Sequence, residues 1–77
     1  MDHDAADIVT RAFLVQIHRQ LKQAAGIAKA AKACAENGSV QDAIRIVMDI
    51  EDPAYRADRM LKAALLIRNE LLGESPD

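Results

Sequence analysis

Seventy-seven residues are enough for one domain and leave little room for a second. Ten basic against twelve acidic residues give a net charge of −2, so no global charge draws the chain to nucleic acid or to anionic lipid. A single cysteine, Cys34, excludes an intrachain disulfide, and with His3 and His18 it offers no zinc-binding spacing.

A chain this short buries a modest share of its surface and usually needs a staple or a partner. No apolar run approaches the ~18 residues of a membrane span, and the acidic start Met1-Asp-His-Asp is unlike a signal peptide. With a lone thiol between Ala33 and Ala35, these features read as a cytoplasmic protein. The aromatics are Phe13 and Tyr55 alone, which leaves any core to Ala, Leu, Ile and Val and favours closely approaching helices.

The first helix is predicted over residues 5–36, with Asp4 as N-cap and Asn37-Gly38 as the stop. Val9, Phe13, Ile17, Ala24, Ile27, Ala28, Ala31 and Ala35 share one face, with Leu14 and Leu21 at its edge. Arg11, His18, Lys22, Lys29 and Lys32 line the opposite side. Residues 24–35 hold seven alanines, so a neighbouring helix can come closer to the second half than to the first.

Ser39 opens a short second helix over 40–50, and Ser39-Val-Gln-Asp42 is close to a capping box. Its stripe is Val40, Ala43, Val47 and Ile50. The tripeptide Glu51-Asp52-Pro53 ends it and starts a third helix over 53–72, with Asp52 as cap and Pro53 at the first helical position. The third helix presents Ala57, Met60, Leu61, Ala64, Ile67 and Leu71, with Leu65 and Leu72 beside them, and carries Asp52/Arg56 and Asp58/Lys62 at i, i+4. Residues 1–4 and 73–77 read as disordered tails of this single 1–77 helical domain.

At 1.5 Å per residue the three helices are roughly 48, 16 and 27 Å long. If the chain reverses at both turns, residues 8–21 of the first helix have no cover within the chain. Two arrangements close that gap: the first helix breaks near Gly26 and folds back, or the uncovered half packs on a second chain. The second is favoured, because one glycine in a strongly helix-favouring run does not terminate it.

The expected fold is therefore all-α, a helical hairpin plus one helix, forming a dimeric bundle. Its expected interface is Ile8, Phe13, Leu14, Val15, Ile17 and Leu21 from the first helix, with Leu65, Ile67, Leu71 and Leu72 from the third.

From Ile27 to Pro53 the chain resembles a tetratricopeptide-like (TPR-like) helical repeat. Ala31, Gly38, Ala43, Val47 and Pro53 supply its small residue, turn glycine, alanine, larger apolar residue and terminal proline in order. Ile27 and Cys34 stand where tryptophan and tyrosine are typical, and the proline comes about two residues early. The resemblance covers about a third of the chain and implies protein binding without catalysis.

No titratable cluster marks a catalytic site. His18 lies on the polar stripe, and the acids Asp49, Glu51 and Asp52 read as a helix end and a cap. No cofactor, metal or small-molecule substrate is expected; the expected partner is a second copy or another protein. The alternative reading is a small nucleic-acid-binding regulator. It would use the basic stripe Arg11, Lys22, Lys29 and Lys32, or a degenerate helix-turn-helix over Cys34, Gly38, Ile44 and Val47. The acids Asp42 and Asp49 and the absence of interleaved aromatics weigh against it.

Overall fold

Nothing between Ala5 and Glu36 obliges a helix to stop: the segment has no proline and one glycine. In a computed structural model, which describes residues 3–71 and the side chains of residues 4–69, that stretch is one unbroken helix, α1, spanning His3–Glu36. It starts earlier than expected, so His3 and Asp4 are helical and Asp4 sits inside the first turn, where its charge still complements the helix dipole. The remainder of the two expected tails, residues 1–2 and 73–77, lies outside the described residues.

The break considered at Gly26 does not form. A methyl group built there meets nothing within 4 Å, so the glycine serves no close approach. Gly26→Ala is expected to stabilise the protein by about 1 kcal/mol, through helix propensity and a less mobile unfolded chain. A raised urea midpoint at fixed protein concentration would show it.

The stop at Asn37-Gly38 is a Schellman turn. Gly38, at φ +93°, lets the Ser39 N–H donate to the Cys34 carbonyl (3.1 Å) and its own N–H to the Ala35 carbonyl (3.0 Å). Only glycine takes that φ without strain. The Ser39 carbonyl then accepts from the Ala43 N–H at 2.9 Å and opens α2, Val40–Val47. The expected capping box is absent: the Ser39 side chain makes no cap bond, and Asp42 instead pairs with Arg45 at 3.3 Å.

The larger departure comes at Glu51-Asp52-Pro53. There the chain does not reverse. After α2 it passes through a 3-10 turn at Met48–Ile50 into α3, Glu51–Leu66, and on through a π-type turn at Ile67–Leu71. Val47, Met48, Ile50 and Glu51 all keep right-handed helical angles, with ψ tightening to between −22° and −26° at the first three. The tighter turn accommodates Pro53 just downstream, where its missing N–H and its ring disturb the regular helical bonding. Residues 40–71 are thus one second arm, antiparallel to α1. The arms lie side by side in an envelope of 54 × 23 × 15 Å. The radius of gyration, 17.0 Å, compares with about 11–12 Å for a spherical domain of this length.

Most of the covered positions recur every seven residues on both arms. On α1 they are Ala6, Thr10, Phe13, Ile17, Gln20, Ala24, Ile27, Ala31 and Cys34; on the second arm they are Ala43, Ile46, Ile50, Pro53, Ala57, Met60, Ala64 and Ile67. This alternation of three and four is the spacing of two helices wound about one seam. Fully buried positions are few and small, apart from Ile67 and Pro53. Alanine at Ala6, Ala31, Ala43 and Ala57 lets the backbones approach closely. Within the seam the buried Thr10 hydroxyl has no hydrogen-bond partner. Arg56 donates to Gln20 Oε1 at 3.0 Å rather than pairing with Asp52, and this contact fixes which residues of the two arms are level.

Candidate interaction surface

An antiparallel pair of helices has two broad faces, one on each side of the seam. Positions immediately after the seam's second residue in each seven-residue unit fall on the same face in both arms, because reversing a helix also reverses its sense of rotation. On α1 this rule places Leu14, Leu21, Ala28 and Ala35 on one face, with His18, Ala25 and Lys32 at its outer edge. On the second arm it places Val40, Val47, Ala54 and Leu61 there, with Ile44, Glu51, Asp58 and Leu65 at the edge. All of the large apolar residues in both sets are exposed.

The opposite face is polar. It carries Gln16, Gln23, Asp42, Arg45, Asp49, Asp52, Arg56 and Arg59. A shallow groove of about 380 Å³ crosses it, floored by Phe13, Met60 and Ala63 and walled by Tyr55, Arg56 and Arg59. Both arginines are engaged: Arg56 holds Gln20, and Arg59 donates to the Tyr55 hydroxyl at 2.9 Å while lying 5.7 Å from the centre of its ring. The groove is lined by no carboxylate, imidazole or thiol. Among the described residues no cluster of His, Cys, Asp and Glu is placed to hold a metal ion, and no helix is long and apolar enough to cross a membrane.

The residues expected at an interface separate into three groups. Leu14, Leu21 and Leu65 lie on the apolar face. Ile8 and Val15 are exposed on the back of α1, away from the seam. Phe13, Ile17 and Ile67 belong to the seam between the arms, half-buried or buried, and are not free to meet a partner. The correction has a simple cause: the expected reversal at Pro53 would have left residues 8–21 uncovered, whereas the straight second arm runs alongside them. Leu71 ends the described helix without a described side chain, and Leu72 lies outside the described residues.

Four large residues of the apolar face were not expected there: Val40, Ile44, Val47 and Leu61. Read as two separate helices, the sequence puts Val40 and Val47 in a buried stripe and Leu61 on the third helix's covered face. Their signal was present in the seven-residue spacing Val40, Val47, Ala54, Leu61, which runs apolar through Pro53 once the two short helices are treated as one element.

Of the basic stripe, Arg11 is paired with Asp7 at 3.0 Å, an exposed i, i+4 pair. Lys22, Lys29 and Lys32 take part in none of the three ion pairs found among the described residues. Residues 34–47 form the turn end of an antiparallel hairpin, not the steeply crossed pair of helices that a helix-turn-helix uses. Ala31 and Ala43 of the repeat-like segment are buried at that end, Gly38 forms its turn, and Pro53 is buried within the second arm. In comparisons with known proteins, no family model matches the chain, and no curated protein or solved structure matches it either.

Proposed function

We propose that the chain is a non-catalytic protein-interaction module that works as a homodimer, two hairpins joined through their apolar faces into a four-helix bundle. The observation that carries this reading is the apolar face itself, drawn from both arms and left open by a seam whose fully buried positions are mostly alanine. The exposed area supports it. The chain presents 5896 Å² to solvent, about 1,300 Å² more than a typical monomer of 8.4 kDa. That excess is larger than the ~800 Å² each partner buries in an interface of standard size. The TPR-like character of residues 27–53 points to the same class of function, because isolated repeats of that kind need a neighbour to close their core.

Sedimentation or light scattering across a concentration series tests the reading. The expected mass is twice 8.4 kDa at micromolar concentration and above. A well-folded single chain throughout the series would remove it. Salt-sensitive retention of that single chain on RNA or DNA would then favour the basic edge of α1 as a nucleic-acid surface.

A further inference from the structure

We propose that the two copies pair with their turns at the same end, so that the basic outer edge of α1 in each meets the acidic outer edge of the second arm in the other. This rests on the apolar face being the dimer interface, and it adds the orientation and the residues that set it.

Two closed symmetric pairings of this face exist. If the two-fold axis runs along the hairpin, both turns lie at one end and each α1 stacks on the other copy's second arm. If the axis runs across the hairpin, the turns lie at opposite ends, α1 stacks on α1, and second arm stacks on second arm. Both bury the same leucines and valines, so apolar area does not choose between them. Charge does.

The outer edge of α1 carries Arg11, His18 and Lys32, with Lys22 and Lys29 just behind it on the back of the helix; of the described acids on this side, Asp7 is paired with Arg11, and Asp4 and Glu36 lie at the two ends. The outer edge of the second arm carries Glu51 and Asp58, with Lys62 tied to Asp58 at 2.9 Å. In one chain these edges lie on opposite sides of a hairpin 23 Å wide and cannot meet. With the turns at opposite ends and the hairpins fully overlapped, Glu51 of each copy falls against Asp58 of the other, and Lys32 of each falls against Arg11. Like charges so placed at an interface oppose association.

With the turns at the same end the match inverts. Rotation about the long axis preserves level, so each α1 residue meets the residue of the other copy that is level with it in its own chain. The Gln20–Arg56 contact sets those levels. Asp58 of the second copy arrives opposite His18, next to Lys22. Glu51 of the second copy arrives opposite Ala25, which is flanked one turn away on each side by Lys22 and Lys29. Sizes agree as well: Val47 meets Ala28, Val40 meets Ala35, Leu61 meets Leu14, and Ala54 meets Leu21. The basic stripe is then the electrostatic rim of the dimer, and Lys22 is its centre.

The orientation is read directly by a nitroxide at the turn, using Asn37→Cys in a Cys34→Ala chain, with spin–spin distance measured on the same sample whose mass is determined. A dimer with labels about 20–30 Å apart, the span of two or three helices, supports the proposal. A dimer with labels near the full 54 Å length of the hairpin overturns the orientation and leaves dimerisation standing. A single-chain mass overturns both. Charge exchange gives an independent readout: Lys22→Glu is expected to weaken dimerisation roughly tenfold, and adding Glu51→Lys to restore most of it. The two sites are too far apart within one chain to compensate there, so rescue requires the pairing between copies. Absence of rescue from a folded double variant would count against the proposed rim.

Discussion

Leu61→Asp is expected to split the dimer, raising its dissociation constant at least a hundredfold, while Leu66→Asp leaves it nearly unchanged. The two leucines sit in the same helix, five residues apart, with almost equal exposure, 48% and 54%. They differ only in direction: Leu61 lies on the apolar face and Leu66 towards the polar one. Burying a leucine contributes about 1.5–3 kcal/mol, and a two-fold dimer contains the site twice. An aspartate there also has to be desolvated beside other apolar groups, which adds to the loss. Because the hairpin alone has a thin, alanine-rich seam, the Leu61→Asp variant should lose helicity at concentrations where the parent chain keeps it, and its thermal midpoint should be lower than that of the dimer. Sedimentation together with circular dichroism on both variants checks this. Equal behaviour of the two leucine variants would mean that the apolar face has no special role.

The second large effect concerns the seam. Ala57 is 6% exposed, opposite the part of α1 that contains Ile17 and Gln20. Ala57→Leu is expected to destabilise the protein by about 1–3 kcal/mol, because three added carbons have no room unless the arms separate. Separation would also disturb the dimer face, since the leucines flanking the seam would no longer be level. Ala33→Leu, at an exposed position of α1, serves as the control and should shift stability by less than about 0.5 kcal/mol. Urea midpoints at one fixed protein concentration would measure both. A tolerated Ala57→Leu would mean that the arms lie further apart than the alanine seam implies.

How far the architecture could be read in advance differed from place to place. The turn was legible because Gly38 carries a local necessity, a positive φ that alanine-rich helix does not otherwise need. The length of α1 was legible for the opposite reason, the absence of any strong stop. Pro53 misled because Asp52-Pro53 looks the same whether a helix begins there or a longer one passes through. What decides between them is the seven-residue pattern on both sides, a property of the whole second arm. That pattern also explains the exchange of interface residues. Once the arm is straight, Phe13, Ile17 and Ile67 are drawn into the seam, and Val40, Ile44, Val47 and Leu61 turn outward. Gln20 in the seam was illegible for another reason: its place depends on Arg56, thirty-six residues away, and no local signal links them.

The Schellman turn at Gly38 also governs how the hairpin can assemble. In a two-armed zipper, residues that meet beside the turn are a few positions apart in sequence, while those that meet at the open end are separated by nearly the whole chain. The entropy of closing each successive layer is small once the previous layer has formed, and large if the open end must find itself first. Folding outward from this one glycine is therefore the expected order, with Ala31 and Ala43 among the first residues to be buried and Ala6 and Ile67 among the last. A chain of this form has low contact order near its nucleus and can zip quickly. Its apolar face is completed in the same direction, from the valines beside the turn to the leucines at the far end.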